Sequence, residues 1–145
     1  MISFDQVHLR PSTWEDLDWL EPFYERVMRP YVELTHEWDP ERYGEYFYPE
    51  VNWIVQWEGR DIGLLGYEVR TGYLYLNNIQ LEEGFRGRGI GTHLVRRVLA
   101  LGEELGLPVR LRVLKGNPAL GLYQRLGFTI DPTQEQPYSI ELVHA

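Results

Sequence analysis

The stretch Arg86-Gly87-Arg88-Gly89-Ile90-Gly91 follows an apolar strand pattern and opens an amphipathic helix pattern. It constrains the fold more tightly than any other part of the chain, because it needs a strand, a close loop and a helix in that order. Glycine at alternate positions removes the side chains that would keep a polyanion away from backbone N–H groups. The first N–H groups of the following helix have no intrahelical partner and sit at the positive end of its dipole, where phosphates bind. Charge agrees with geometry: from Gly84 to Arg97 there are four arginines and no carboxylate, in a chain of net charge −8. That local reversal favours a phosphorylated ligand.

Other glycine-rich phosphate loops fit poorly. A P-loop ends in Gly-Lys-Ser/Thr, whereas Gly89 is followed by Ile90 and Gly91. A dinucleotide fingerprint needs glycine at 87, 89 and 92, and Thr92 stands at the last of these. Glycines that serve only a tight turn are the plain alternative. Two segments together point elsewhere. Read as Arg-x-x-Gly-x-Gly (Arg86, Gly89, Gly91), the loop resembles the acetyl-coenzyme A signature of the GNAT superfamily of N-acetyltransferases. The segment from Asn117-Pro118 through Tyr123 to Gly127-Phe128 resembles that family's later motif, one helix and one strand further on.

The remaining composition is consistent with one domain spanning residues 1–145. At 145 residues and 43% hydrophobic content the chain can bury a substantial core without metals or disulfides. The absence of cysteine excludes a disulfide framework, thiolate zinc ligands and a cysteine nucleophile. The N-terminus lacks a basic region followed by an apolar run, and no apolar stretch approaches the roughly 18 residues of a membrane span. A cytoplasmic, non-membrane protein is therefore expected. The acidic balance argues against nonspecific nucleic-acid binding.

Along the chain, Gln6 to Arg10 reads as a strand ended by Pro11, and Thr13 and Asp16 have capping-box spacing at the start of a helix. Its apolar face is expected through Leu17, Leu20, Tyr24 and Val27, interrupted or kinked at Pro22 and broken at Arg29-Pro30-Tyr31. Asp39-Pro40 can cap a brief helix containing Tyr43 and Phe47. Strands from Val51 to Trp57, Ile62 to Arg70 and Tyr73 to Leu81 then make an antiparallel meander with turns at Glu58–Asp61 and Thr71-Gly72. Ile90, Leu94, Val98, Leu101 and Leu105 recur at helical spacing until Gly106 and Pro108 stop them. Val109 to Leu114 is a strand parallel to the one before the helix, since the crossover is long enough. Asn117 caps a last helix that ends at Gly127, and strands follow near Phe128 to Ile130 and Tyr138 to Val143. The fold class is α/β, mixed α+β: a mixed central sheet with an antiparallel N-terminal meander and helices on both faces. Order and length match the GNAT fold.

The resemblance implies acetyl-coenzyme A as cosubstrate, bound where two parallel strands splay apart. It places the pantetheine arm on the backbone of Ile79-Gln80-Leu81 and the pyrophosphate on Arg86, Gly87, Arg88, Gly89, Ile90, Gly91 and Thr92, with Asn117 and Tyr123 completing the coenzyme site. Asn77 and Asn78 are poor strand formers at an apolar strand; they suit a wet cleft or mark a bulge. The chemistry implied is attack of an amine on a thioester. Deprotonating an ammonium of pKa about 10.4 at pH 7 costs about 4.6 kcal/mol, so some base or water must take that proton. Tyr123 matches the family's tyrosine and is the candidate general acid for the departing thiolate, although Ala119, Leu122, Tyr123 and Leu126 also have the spacing of a core stripe.

The general base does not carry over. Where relatives have a glutamate on the strand before the second motif, this chain is near Arg112; where others have one on the strand before the glycine loop, it has Tyr75. Glu33, His36 and Glu37 could face the acceptor, or Asn78 could hold a water, while Glu82 and Glu83 read as exposed turn residues. The acceptor side would draw on Tyr31, Glu33, Trp38, Tyr46, Tyr48 and Asn78, aromatic rings and a carboxylate that could receive a cationic amine. A small-molecule or peptide amine is the expected acceptor. Lys115 is the single lysine, which makes extensive self-acetylation unattractive. No metal is expected, a homodimer is compatible with the family, and a noncatalytic acyl-coenzyme A binding or regulatory module is the alternative function.

Overall fold

The computed structural model describes residues 4–145. The elements are β1 (Val7–Pro11), α1 (Leu17–Val32), α2 (Arg42–Glu45), β2 (Asn52–Trp57), β3 (Arg60–Arg70), β4 (Tyr73–Leu81), α3 (Ile90–Leu105), β5 (Val109–Leu114), α4 (Ala119–Arg125), β6 (Thr129–Asp131) and β7 (Ser139–His144). The strands form a seven-stranded mixed sheet in the order β1-β2-β3-β4-β5-β7-β6. The expected meander is antiparallel where β1 meets β2 and where β2 meets β3. The expected parallel pair is β4 with β5, in the short register Leu74↔Val109 and Tyr75↔Arg110. β7 then pairs antiparallel with β5 and with β6.

Three local expectations differ from the structure. Pro11 is the last residue of the first strand, opposite Trp53, and not the residue after it; as β1 lies at the sheet edge, a missing N–H is tolerated there. The first helix is not broken at Arg29-Pro30-Tyr31 and not interrupted at Pro22, for α1 contains both prolines and ends only at Val32. A proline in a helix interior costs about 3 kcal/mol. Burial of Leu20, Phe23 and Met28, at 0, 1 and 9% exposure, returns about 1.5–3 kcal/mol each, which is of the same order. Asp16 supports the start by accepting from the Thr13 N–H at 2.8 Å. The brief helix α2 holds Tyr43 but stops before Phe47, which is buried beside it.

Backbone proximity groups the described residues into two compact units, one reaching Gly66 and including Asn78–Gly91, the other made of Tyr67–Asn77 and Thr92–Ala145. In the first, Leu20, Phe23, Phe47, Ile54 and Leu64 form the core, with Leu17, Trp19, Val27 and Tyr43 packed on it. This core fixes α1 and α2 against β2 and β3. In the second, Leu74, Leu94, Val98, Val109, Leu111, Phe128 and Leu142 are buried. α3 lies close on its strand, since a methyl at Gly102 would stand 2.8 Å from Val109 Cγ2. No helix among the described residues is long and apolar enough to cross a membrane.

Candidate functional site

The glycine loop lies in the first unit, at the end of β4. Leu81 is buried at 9% exposure, and the chain then leaves the sheet as the Glu82 N–H donates to the Ile62 carbonyl at 2.8 Å. Arg86 folds back, its Nε donating to the Leu81 carbonyl at 3.0 Å. That bond occupies one carbonyl of Ile79-Gln80-Leu81 and ties the loop to the strand. Gly87 and Gly89 take φ of 73° and 83°, a region open to glycine at no steric cost. At Gly87 no heavy atom lies within 4 Å of where a Cβ would be. The loop therefore both turns tightly and leaves its backbone approachable. Gly91 has no such conformation; its Cβ position is 4.0 Å from Leu81 Cδ1. Ile90, fully buried, begins α3 and anchors the helix whose first N–H groups the loop presents. Arg88 and Arg60 carry their guanidinium carbons 5.4 and 5.6 Å from the Phe85 ring centre, so cationic charge flanks the loop. Glu82 is half-buried, not an exposed turn residue, and bridges to Arg26 at 2.6 Å, whereas Glu83 is exposed as expected.

The same unit holds the residues expected on the acceptor side, and they divide. Tyr46 and Tyr48 are exposed, at 62 and 50%. Glu33 is committed to Arg29, 3.1 Å from its Nε. His36 Nδ1 is 2.8 Å from Thr35 Oγ1, and Glu37 is exposed. Tyr31 is half-buried. Trp38 belongs to an aromatic group that spacing alone does not assemble: Tyr24 stacks on Tyr43 at 4.3 Å between ring centres and meets Trp38 at 6.2 Å. Trp38 Nε1 and the Tyr43 hydroxyl are buried there without a hydrogen-bond partner. Burial pushes the Tyr43 phenol well above its usual range, and Tyr24 and Glu21 add to it. Asn78 joins this group through its side chain. Its Oδ1 accepts from Gln80 Nε2 at 3.2 Å; burial raises the Tyr24 phenol, and the Asn78 side chain partly offsets that.

The second unit carries Asn117 and Tyr123. The N-cap of α4 is Pro118, one residue later than expected, but Asn117 still satisfies the first helical N–H, its Oδ1 accepting from Ala119 at 2.9 Å. That contact occupies the side-chain oxygen and leaves the amide N–H groups to any ligand. α4 closes in a Schellman motif, with Phe128 N–H donating to the Tyr123 carbonyl and Gly127 N–H to that of Gln124, both at 3.1 Å. The Phe128 ring meets Tyr123 edge-on at 5.7 Å. Tyr123 is thus a packed residue, 6% exposed, with its ring position set by the helix end. Burial raises its pKa to about 12, which keeps the group protonated at neutral pH. Core packing and a donor hydroxyl coexist in one side chain. Thr92, in the first turn of α3, is half-buried in this unit.

Tyr75 and Arg112, the two positions weighed above for a general base, offer no carboxylate. Tyr75 lies under the Arg70 guanidinium at 4.1 Å, and burial raises its phenol. Arg112 donates to the Ser139 hydroxyl at 3.1 Å and the Gln134 carbonyl at 2.7 Å. The sequence reading missed Glu141, whose carboxylate is 2.6 Å from Arg110 and 3.6 Å from Arg112. Alternation along β5 puts both arginines on one face, and that pairing was the available signal for a counter-charge on the neighbouring strand. A carboxylate shared by two guanidiniums is committed to them. Among the described residues no group of acidic or histidine side chains could hold a metal ion.

A sequence model described as the acetyltransferase (GNAT) family matches residues 13–128. No curated protein sequence matches this chain. Among solved structures, the fold is similar to an acetyltransferase from Thermus thermophilus, at 19% identity over 99% of both chains and a TM-score of 0.77. It is also similar to the PaiA N-acetyltransferase of Thermoplasma acidophilum in complex with coenzyme A, at 15% identity, 94% of this chain, 97% of that one and a TM-score of 0.76. A third likeness is Arabidopsis thaliana Naa50 in complex with the bisubstrate analogue CoA-Ac-MVNAL, at 18% identity, 95% of this chain, 97% of that one and a TM-score of 0.65. At these identities the likeness concerns the fold.

Proposed function

The chain belongs to the GNAT acetyltransferase family, and from that premise we propose that it is a cytoplasmic single-domain enzyme moving an acetyl group from acetyl-coenzyme A to a primary amine of a small molecule or peptide. The observation that carries this reading is the loop at the end of β4, where Gly87 and Gly89 take positive φ and Gly87 leaves open space ahead of the unpaired N–H groups that start α3. The coenzyme pyrophosphate binds there, assisted by Arg86 and Arg88, and the pantetheine arm follows Ile79 and Gln80. Fit is supported by the arginine side chains: the Nη groups of Arg86 are not committed by its bond to Leu81.

The neutral amine nitrogen attacks the thioester carbonyl, the C–N bond forms, the nitrogen gives up one proton to solvent, and the C–S bond breaks. Coenzyme A leaves as a thiolate, which takes a proton from the Tyr123 hydroxyl; solvent then restores that proton. A thiol of pKa about 8.5 gains from a nearby donor that does not itself ionise at neutral pH, and Tyr123 is such a donor. The lack of a carboxylate at Tyr75 and Arg112 favours one competing reading, a module that binds acyl-coenzyme A without turning it over. Release of free thiol from acetyl-coenzyme A across a panel of amines separates the two. Amine-dependent release supports the enzyme, whereas tight binding with no release for any amine overturns it.

A further inference from the structure

Phe85 stands one residue before the first arginine of the glycine loop, and the turn between β2 and β3 reaches it. Glu58 and Gly59 take φ of 48° and 81°, the sign that a two-residue type I′ turn requires at both positions, and Trp57 pairs with Arg60 across the turn. The start of β3 is also tied to the end of β4, where the Ile62 carbonyl accepts the Glu82 N–H at 2.8 Å. Both residues that flank the turn meet Phe85. Its ring centre lies 6.3 Å from that of Trp57 and 5.6 Å from the Arg60 guanidinium carbon, with the Arg88 guanidinium carbon at 5.4 Å. Arg60, Arg86 and Arg88 are exposed, and among the described residues none of the three forms an ion pair. Arg10, Arg26, Arg70 and Arg110, by contrast, each hold a carboxylate. In a chain of net charge −8, three guanidiniums without a carboxylate at one loop are an unused capacity for an anion.

Resting on the function proposed above, we propose that Arg60 is a further coenzyme-binding residue, set beside Arg88 by the Phe85 ring so that both guanidiniums donate to phosphoryl oxygens of acetyl-coenzyme A. A ring contact orients a guanidinium without neutralising its charge, and the planar fork of N–H donors matches phosphate geometry. Sharing one ring brings two like charges near each other, a cost that an anion held between them removes. Phe85 is then a positioning residue and touches no phosphate itself. The β2–β3 turn, distant in sequence from the glycine loop, thereby becomes part of the coenzyme site. Two parts of the coenzyme carry phosphoryl oxygens, the pyrophosphate and the ribose 3′-phosphate, and a ligand lacking the second tells them apart.

Calorimetric titration with acetyl-coenzyme A and with acetyl-dephospho-coenzyme A, each at low and at high salt, is applied to the parent protein, Arg60→Gln and Arg42→Gln. Arg42 is the control, because its guanidinium also lies over a ring, Tyr46 at 5.0 Å, but on α2 and not at the loop. Arg60→Gln should weaken acetyl-coenzyme A about tenfold at low salt and less at high salt, whereas Arg42→Gln should stay within about twofold of the parent protein. A loss confined to acetyl-coenzyme A assigns Arg60 to the 3′-phosphate, and an equal loss with both ligands assigns it to the pyrophosphate. Phe85→Leu should weaken binding by itself and shrink the further effect of Arg60→Gln; an undiminished effect in that background removes the positioning role of the ring. Unchanged affinity in Arg60→Gln, a loss that salt leaves unaltered, or a loss no larger than that of Arg42→Gln overturns the proposal while leaving the acetyltransferase reading intact. Absence of acetyl-coenzyme A binding by the parent protein overturns both.

Discussion

Gly63 is the position where a single methyl group should do most damage to β4, the strand proposed to hold the coenzyme. It lies in β3, and a Cβ there would stand 2.4 Å from the Gln80 carbonyl oxygen, 2.8 Å from Leu81 Cδ2 and 3.3 Å from Leu81 Cα. Two of these three atoms are backbone, so no side-chain rotation relieves the clash, and restoring an ordinary carbon to oxygen contact of about 3.3 Å would require β3 and β4 to move apart by up to about 1 Å. Overpacking of this kind costs about 1–3 kcal/mol. With both the Gln80 carbonyl and Leu81 obstructed, we place Gly63→Ala in the upper half of that range, a loss of about 2–3 kcal/mol and a fall in Tm of about 5–10 °C. Urea unfolding followed by tryptophan fluorescence gives the free energy. Because the displaced backbone is the segment assigned to pantetheine, acetyl-coenzyme A affinity should fall about tenfold or more in the folded variant. A Gly63→Ala protein within about 0.5 kcal/mol of the parent and with unchanged affinity would refute both the close approach and its link to coenzyme binding.

Three further outcomes follow from the same geometry. Gly89→Val, whose positive φ costs a side chain about 1–2 kcal/mol, should remain folded and bind acetyl-coenzyme A at least about tenfold more weakly by calorimetry; unchanged affinity would remove the phosphate role of the loop. Tyr123→Phe should keep the edge-on contact with Phe128 and coenzyme affinity while turnover falls about 10²-fold; near-normal turnover, with chemistry rate-limiting, would leave Tyr123 as packing alone. In alkali, the unfolded chain's Tyr123 ionises from pH about 10 while the folded chain holds its proton to about 12. The folded state therefore binds more protons across that window, and stability should fall as pH rises through it, by about 2–3 kcal/mol for this group. Tyr123→Phe should flatten that part of the pH profile, and an unchanged slope would contradict the burial assigned to its hydroxyl.

Much of the fold is legible because it is written in local chemistry. The alternation in β5 and the helical period in α3 survive into the structure, and so does the bond of Asn117 to the start of α4. The Gly127-Phe128 ending of α4 does so because a Schellman motif needs only the glycine and the apolar residue after it. The start and buried face of α1 were legible but its continuity was not, since Pro22 and Pro30 are strong local signals and the core that overrides them is assembled from Phe47, Ile54 and Leu64, distant in sequence. The expected face of that helix included Tyr24, and spacing cannot show that its ring stacks on Tyr43. Glu33 looked available for the same reason, because a residue-type argument does not see Arg29 one turn earlier as its partner. Glu141 escaped because strand pairing, which sets Arg112 opposite it, depends on the order of the last strands in the sheet.

Direct transfer of acetyl from coenzyme to amine nitrogen is the central step of the proposed chemistry. Incubation of the protein with acetyl-coenzyme A carrying a 13C carbonyl label, together with an amine that promotes thiol release, allows the label to be followed by NMR and mass spectrometry. Direct transfer predicts one labelled amide on the acceptor nitrogen for each free thiol, with the protein itself unlabelled, Lys115 included. Label recovered as free acetate or on the protein, or thioester left intact with every amine while the coenzyme is bound, would contradict it.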